Sequence, residues 1–390
     1  MAMIIPSFSS RLPAALTANR LADAVARRLA SGQPLIDLTA SNPTKAGFSY
    51  PPDLLAGLAA PANLSYEPES AGIESARQAV ADELAARGSH VATDDIVLTA
   101  STSEAYGFLF KLLCDPGDEV LIPQPSYPLF EWLTRLDSVG ARPYRLDYQK
   151  RWTLDADALS AAVTERTKAI LLVNPNNPTG SYLTRRDFAR LADVAPGIPL
   201  IGDEVFWEFA LSEAPADRAS VLESGRGLAF SLGGLSKSSG LPQLKLGWIA
   251  IGGDHARVRA AREKLELIAD TYLSVSTPVQ TSARALLAGG AGVRVQILER
   301  VARNLASLRA AVDRHPALNL LTPEGGWSAI VRVPATRAEE DLAVALVEED
   351  GVLVHPGYFF DFEREAYIVV SLIVPPEDFD NGVLRVVSRF

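Results

Sequence analysis

Lys237 stands in a loop rich in glycine and serine, residues 231–248, which is flanked by apolar runs at 228–230 and 246–251. These runs are short and bounded by glycine, which indicates two strands of a buried sheet. A lysine at a strand end with little bulk around it suits an amine that loses its proton and attacks a carbonyl carbon. A solvated loop lysine is the alternative, so the case for chemistry depends on which other groups converge on Lys237.

A cluster of small hydroxyl residues follows the apolar run 96–99. Ser101 and Glu104 match a capping box, which predicts a helix N-terminus with Thr102 and Ser103 in its first turn. Free backbone N–H groups and the helix dipole favour a phosphate there. Helix capping without a ligand is the alternative.

Two further polar signals follow apolar runs in the same way. Tyr127 lies between Pro125 and Pro128, on a turn that could hold its ring flat against an aromatic ligand, although a core tyrosine is equally common. Residues 174–180 read Asn-Pro-Asn-Asn-Pro-Thr-Gly, a turn whose asparagine amides can donate to a ligand oxygen. A purely structural turn is the alternative.

Asp203 and Glu204 follow the apolar run 199–202. A carboxylate at a buried strand end needs a positive partner, and a protonated heterocyclic nitrogen would serve as well as a salt bridge. A phosphate site, a flat aromatic ring, an amide donor, a carboxylate and a lysine together fit pyridoxal 5′-phosphate (PLP). Lys237 would form its Schiff base and Asp203 would keep its ring nitrogen protonated. The four histidines are scattered and show no metal-ligand spacing.

Strand-like and helical runs alternate between residues 95 and 251. This pattern, with continuously apolar strands, predicts an α/β domain with a mainly parallel seven-stranded sheet between helices and a ligand site beyond the carboxyl ends of the strands. The predicted strands are 96–99, 119–122, 141–146, 169–173, 199–202, 228–231 and 248–251. The predicted helices up to residue 194 are 14–30, 73–87, 102–114, 126–137, 155–164 and 184–194.

The pattern changes after residue 251. Helical segments dominate to about residue 315, with expected breaks at 274–278 and at Gly289-Gly290. Strand-like runs at 328–333, 351–355 and 366–373 follow, which predicts a second, smaller α+β domain. We expect an N-terminal arm and small-domain segment over 1–45, a large PLP-binding domain over 46–275 and the small C-terminal domain over 276–390.

Composition excludes several classes of protein. The 390 residues carry a net charge of −10 without a basic stripe, which argues against nucleic acid as a partner. The single cysteine, Cys114, excludes an internal disulfide and a paired-cysteine metal site. No run reaches the roughly 18 apolar residues of a membrane helix, and the start lacks the features of a signal peptide. We therefore expect a cytoplasmic protein without a membrane segment.

From about residue 36 to its C-terminus, the chain resembles the class I/II aminotransferases, the aspartate-aminotransferase-like PLP enzymes of fold type I. The motifs that carry the resemblance are 174–180, Asp203-Glu-Val, and Ser236-Lys237 with Gly247 ten residues beyond the lysine. The resemblance implies that Lys237 is the catalytic lysine. The other cofactor-binding residues that it implies are Asp203 at the pyridine nitrogen, Asn177 at the phenolic oxygen, Tyr127 on the ring, and Ser101, Thr102, Ser103, Ser236 and Lys245 at the phosphate.

The resemblance also implies a homodimer with active sites at the interface. Tyr66 matches the tyrosine that reaches the phosphate of the neighbouring subunit. Ser41, Asn42 and Asn177 match residues near the substrate. The implied substrates are an amino acid and a 2-oxo acid.

Four positions depart from the family pattern. Lys245 replaces the phosphate arginine, which keeps the charge but loses the bidentate fork. Gly234 replaces a serine, for which Ser231 or Ser236 would compensate. Phe206 replaces a tyrosine that donates to the phenolic oxygen, so we expect a higher pKa of the imine. Val369 replaces the arginine that clamps the substrate carboxylate, with Arg11 as a candidate replacement.

The resemblance implies a PLP-dependent aminotransferase in which Lys237 acts as general base and then as general acid. A PLP lyase of the β-C–S type on the same scaffold is the alternative, which the missing arginine leaves open. A third reading, a non-catalytic PLP-binding protein, is disfavoured by the intact set of Lys237, Asp203 and Asn177.

Overall fold

The computed structural model describes residues 8–13, 19–364 and 366–390. The strands are β1 (Ile36–Asp37), β2 (Ile96–Thr99), β3 (Glu119–Gln124), β4 (Gly140–Tyr148), β5 (Trp152–Leu154), β6 (Thr167–Val173), β7 (Leu200–Asp203), β8 (Leu228–Gly234), β9 (Gly247–Gly253), β10 (Asn319–Leu321), β11 (Ser328–Arg332), β12 (Val352–Leu353), β13 (His355–Pro356) and β14 (Tyr367–Ser371). The α-helices are α1 (Arg20–Ala30), α2 (Glu74–Ala86), α3 (Thr102–Leu113), α4 (Phe130–Leu136), α5 (Ala156–Ala162), α6 (Arg185–Val194), α7 (Leu235–Ser238), α8 (His255–Tyr272), α9 (Thr277–Thr281), α10 (Ala283–Val312), α11 (Glu339–Ala345) and α12 (Pro376–Val387).

The largest sheet has eight strands in the order β2-β9-β8-β7-β6-β3-β4-β5. Strands β8, β7, β6, β3 and β4 run parallel, whereas β9 is antiparallel to both of its neighbours and β5 is antiparallel to β4. The mainly parallel sheet of seven predicted strands is therefore confirmed. The eighth strand, β5, is a short addition at the edge, and three residues are too few for an apolar pattern to be recognised.

Neighbouring residues of the central strands belong to hydrophobic cores on opposite faces of this sheet. Leu171 and Ile201 pack with residues of α3 and α8, whereas Leu172 and Leu200 pack with residues of α5 and α6. Successive side chains of a strand point to opposite faces, so continuously apolar strands are covered on both sides. Because helices fill both faces, the space for a ligand lies at the carboxyl ends of the parallel strands.

A second, antiparallel sheet in the C-terminal part has the strand order β10-β11-β14-β13. The core beneath it contains residues of α10 and α12 together with the fully buried Leu38. Strand β1 pairs in parallel with β12, so the N-terminal segment packs on the C-terminal region. The domain boundaries at residues 45 and 275 stay a prediction.

The expected helix break at Gly289-Gly290 is wrong, because α10 runs without interruption from Ala283 to Val312. A Cβ atom on Gly290 would overlap the side chain of Ser239, just after α7. The glycine therefore serves close packing between α10 and the segment that carries Lys237. Helix propensity alone cannot distinguish such a packing glycine from a helix breaker.

Two predicted helix starts also differ. Helix α4 begins at Phe130 rather than at 126, because a residue that precedes proline, such as Tyr127 before Pro128, disfavours helical backbone. Helix α1 begins at Arg20 behind the cap Asn19, and residues 14–18 of the predicted helix lie outside the described residues. No helix in the described part of the chain is long and apolar enough to cross a membrane.

Candidate active site

A cavity of about 370 Å³ lies at the carboxyl ends of β6, β7 and β8. Residues of β11, β13 and β14 close it from the side of the smaller sheet. Ten of the twelve predicted site residues line it: Ser41, Ser101, Thr102, Ser103, Tyr127, Asn177, Asp203, Ser236, Lys237 and Lys245. Asn42 and Tyr66 are not among the lining residues.

Lys237 lies in the short helix α7, directly after β8, and is half-buried. Its Nζ atom lies 5.0 Å from the ring centroid of Trp327 and 5.5 Å from that of Phe206. Burial lowers the pKa of the amine, and the negative charge of Asp203 opposes this shift. A lowered amine pKa increases the fraction of neutral, nucleophilic amine at a given pH.

Asp203 ends strand β7 and is buried. Each of its two side-chain oxygens accepts one hydrogen bond. The Tyr106 hydroxyl donates to Oδ2 at 2.7 Å, and the Val205 backbone N–H donates to Oδ1 at 3.2 Å. Burial raises the pKa of Asp203, whereas these hydrogen bonds and the charge of Lys237 lower it. A fixed, buried carboxylate of this kind is suited to bind a protonated ring nitrogen. Tyr106 was not predicted, because it comes from α3, far away in the sequence.

Glu204 has a different role from Asp203, although the two are adjacent. Its side chain is fully buried and accepts a hydrogen bond from Arg87 Nη2 at 2.6 Å. Ser220 and Ser231 also donate to the same carboxylate, at 2.9 and 2.7 Å. Glu204 therefore forms the internal salt bridge that was the alternative at this strand end. The idea that Ser231 compensates for Gly234 is wrong, because the Ser231 hydroxyl is bound in this network, outside the cavity.

The N-terminus of α3 faces the cavity with its first-turn hydroxyl residues. Ser101 caps the helix by accepting from the Glu104 N–H at 3.2 Å. The predicted capping box is only half formed, because the Glu104 carboxylate accepts from the Ala100 N–H at 2.7 Å and from Ser274 Oγ at 2.6 Å instead. Thr102 and Ser103 remain at the helix start, where N–H groups and the dipole attract an anion.

Lys245 and Gly247 complete the anion-binding end of the cavity. Lys245 is exposed and has a left-handed backbone with φ of 53°, a conformation that costs a non-glycine residue about 1–2 kcal/mol. A Cβ on Gly247 would lie 3.1 Å from the backbone carbon of Ser101, so the glycine allows β9 to approach the start of α3. Ser236 lines the same cavity, which is consistent with its predicted compensation for Gly234.

The three asparagines of the turn after β6 have different roles. Asn174 donates to the Ala219 carbonyl at 2.9 Å, and Asn176 donates to the Pro125 carbonyl at 3.1 Å, so both hold the loops together. Only Asn177 lines the cavity. The Ser328 hydroxyl of β11 donates to Asn177 Oδ1 at 3.2 Å. The amide N–H₂ group of Asn177 is therefore left to donate to a ligand. Ser328 was not predicted, since it lies about 150 residues further along the chain.

Two predicted residues lie outside the cavity. Asn42 accepts from the Thr44 N–H at 3.1 Å and caps a short turn, and its place near the substrate stays a prediction. Thr39 lines the cavity together with Ser41. Tyr66 is 69% exposed, which leaves it accessible for a contact with another subunit.

Val369 of β14 lies in the cavity wall and is 1% exposed, with no charge at the position of the family's arginine. Arg11 does not replace that arginine in the described chain. Its guanidinium donates to the Leu136 carbonyl at 2.8 Å and to Ser9 at 3.0 Å, and Arg11 is not a lining residue.

The residues around the cavity fit PLP. Asp203 offers a buried carboxylate, Asn177 a free amide donor, Lys237 an amine, and α3 with Lys245 an anion-binding end. Tyr127, which is 45% exposed, offers its ring to the same space. Within the described ranges, no three metal-ligating side chains come together. Fold and site together define a PLP-dependent enzyme of fold type I.

Comparisons with known proteins identify the family. The family described as aminotransferase class I and II matches residues 29–385, and the chain belongs to it. It is a PLP-dependent aminotransferase, and the expected family, fold and cofactor are confirmed.

Curated relatives and solved structures agree with this assignment. The chain is 29% identical to an alanine aminotransferase of Mycobacterium tuberculosis over 352 residues, which cover 86% of the chain and 81% of that protein. It is 26% identical to the glutamate-pyruvate aminotransferase AlaA of Haemophilus influenzae over 370 residues, which cover 92% and 91%. An aminotransferase structure from Escherichia coli superposes with a TM-score of 0.87 at 23% identity and covers 98% of both chains, which supports the fold.

Proposed function

We propose that this aminotransferase moves an amino group from an amino acid to a 2-oxo acid with Lys237 as its catalytic residue. The observation that carries the proposal is the position of the half-buried Lys237 amine in one cavity with the buried carboxylate of Asp203. The names of the curated relatives, an alanine and a glutamate-pyruvate aminotransferase, support small amino acids and oxo acids as the first candidates.

Each residue has a separate task in this proposal. Lys237 Nζ removes a proton from the substrate carbon that bears the amino group and later returns a proton. Asp203 would hold the ring nitrogen of the cofactor, and Asn177 would donate to its phenolic oxygen. Tyr127 would pack on the ring. The phosphate would be held by Ser101, Thr102, Ser103, Ser236 and Lys245. When bound, PLP supplies an electron-withdrawing ring that stabilises negative charge on the substrate carbon.

The test of this assignment combines labelling with kinetics. Borohydride reduction of the holoenzyme should attach the cofactor to Lys237, as read by mass spectrometry of peptides. We expect Lys237→Ala to lose turnover by at least a thousandfold, because general acid–base and covalent roles are removed together. Labelling of another lysine, or turnover that survives the substitution, would overturn the assignment.

A lyase remains the second candidate, because Val369 leaves the family's carboxylate clamp incomplete. An amino-donor screen separates the two reactions. Transfer converts the cofactor to its amine form in a single turnover without releasing ammonia. Elimination releases ammonia and returns the starting spectrum. Release of ammonia in proportion to the amino donor consumed would show that the protein catalyses elimination and not the proposed amino transfer.

We also propose a homodimer with shared active sites. Tyr66, which the resemblance assigns to the subunit interface, is 69% exposed, and Leu64 two residues before it is 92% exposed. We expect sedimentation to give a dimer and Tyr66→Phe to weaken cofactor binding about tenfold, the typical effect of one hydrogen bond to an anion. A monomer that is fully active would contradict the proposal.

The single cysteine supports a cytoplasmic location, which fractionation would test.

A further inference from the structure

Three side chains on one face of the smaller sheet form the wall of the cavity around Val369. His355 of β13 is the direct antiparallel partner of Val369, and Ser371 follows two residues further along β14. Direct partners and alternate residues of a strand share one face. All three line the cavity, and we call them the 355–369–371 face.

This face carries no charge near neutral pH. Burial lowers the pKa of His355 to about 4, with the charge of Asp37 opposing, and the ring stacks on Phe359 at a centroid distance of 4.5 Å. The Ser371 hydroxyl is buried and has no hydrogen-bond partner among the described residues. A neutral imidazole and a hydroxyl can each donate one hydrogen bond and accept another.

The other charges around the cavity are already assigned. Among the described lining residues they are Asp203, Lys237 and Lys245, and all three belong to the proposed cofactor site. A substrate carboxylate placed against the 355–369–371 face would lose water without gaining a cation, which costs several kcal/mol. A neutral carbonyl group in the same place loses much less and gains the unpaired Ser371 hydroxyl.

We propose that the 355–369–371 face is an uncharged substrate subsite. It binds the neutral amide or ester group that replaces the carboxylate on the reacting carbon of the substrate. Amides and esters of amino acids are therefore donors at least as good as the free acids. This inference rests on the proposed amino transfer and narrows its donor class. Val369 is then the residue that determines specificity, and Ser371 donates to the carbonyl oxygen.

The main experiment uses the unmodified holoenzyme. Single-turnover rates are measured with matched pairs, alanine with its amide and leucine with its amide, over a range of concentrations. The rate constants are corrected for the fraction of unprotonated amine, because the amides are weaker bases. We expect an amide-to-acid ratio of kcat/KM of one or more. A free acid preferred by more than tenfold in both pairs would overturn the inference.

A binding experiment gives a result that does not depend on turnover. Calorimetry compares 3-phenylpropanoate with 3-phenylpropanamide on the holoenzyme. We expect the amide to bind as tightly as the carboxylate or more tightly, and tenfold tighter binding of the carboxylate would contradict the subsite.

Two substitutions test whether Val369 and Ser371 determine the preference between amide and free acid. Val369→Arg should shift the ratio toward the free acid by at least a hundredfold, because it adds a bidentate cation, whereas the matched control Val369→Leu should leave the ratio within threefold of the original. Ser371→Ala should lower kcat/KM for the amides about tenfold with an unchanged cofactor spectrum, which keeps the inference testable if the arginine variant does not fold. An unchanged rate in Ser371→Ala would exclude the hydroxyl donor and overturn the proposal as stated.

The two proposals fail in different ways. If neither acids nor amides convert the cofactor to its amine form, the proposed amino transfer is wrong. If free acids convert it and amides do not, amino transfer stands and the uncharged subsite is wrong.

Discussion

At the scale of single residues, the carboxylate of Asp203 is held by Tyr106, a residue that the sequence around Asp203 does not indicate. The motif around Asp203 predicted its position, and the structure adds the Tyr106 hydroxyl at 2.7 Å. This hydrogen bond fixes the carboxylate and favours its charged form, so Tyr106 is a positioning residue for the proposed ring-nitrogen site.

We expect Tyr106→Phe to weaken PLP binding by about tenfold to a hundredfold, because a hydrogen bond to a charged group contributes about 1.5–3 kcal/mol. The dissociation constant is measured by absorbance titration of the cofactor-free protein. Tyr144→Phe is the matched control, since that hydroxyl is also buried but donates to the Leu171 carbonyl. Equal effects of both substitutions would show that Tyr106 acts only on stability.

Phe206 packs edge-on against Trp327 at 5.2 Å and lies beside Lys237, at a position where the family has a tyrosine donor. Phe206→Tyr should lower the pKa of the imine between Lys237 and the cofactor, because a donor to the phenolic oxygen competes with the protonated imine. A pH titration of the visible absorbance measures it. An imine pKa that stays the same or rises would contradict the predicted role of this position.

At the scale of elements, α10 packs closely on the segment after α7, the helix that carries the proposed catalytic residue Lys237. Gly290 allows this contact, because any side chain there would meet Ser239. The sequence pattern predicted helical structure in this region but also a break at this glycine. A packing contact between distant segments cannot be recognised from the local sequence.

We expect Gly290→Ala to destabilise the protein by about 1–3 kcal/mol, the usual cost of overpacking, and to weaken cofactor binding. Gly292→Ala lies in the same helix with nothing near its Cβ, so it should be neutral or stabilise by about 0.5–1 kcal/mol. Urea unfolding measures both free energies. Gly290→Ala that is as stable as Gly292→Ala would show that the contact is not tight.

At the scale of the whole molecule, buried titratable groups link stability to pH. His355 is the clearest case, because its folded pKa of about 4 lies below the ordinary value of 6.5. The unfolded chain binds a proton at this position as the pH falls below 6.5, while the folded chain does not. Stability contributed by the neutral ring is therefore present above pH 6.5 and is lost as the pH falls toward 4.

His355→Gln should remove up to about 3 kcal/mol of the difference in unfolding free energy between pH 6.5 and pH 4, the free energy that corresponds to the pKa shift. Urea unfolding of both proteins at a series of pH values measures it, and comparison at each pH cancels the contribution of other groups. Identical pH profiles would indicate that His355 becomes protonated without cost in the folded protein.

The sequence by itself determined the mainly parallel sheet, because continuously apolar strands that alternate with helices can be buried in few other ways. It also determined the positions of Lys237, Asp203 and Asn177 at strand ends, since each lies in a local motif. Tertiary structure alone decided which groups hold the adjacent Glu204 in its buried network, which distant hydroxyls orient Asp203 and Asn177, and which side chains surround Val369. These contacts join segments far apart in the chain, and strand order and register, which bring them together, are properties of the packed sheet rather than of any local stretch.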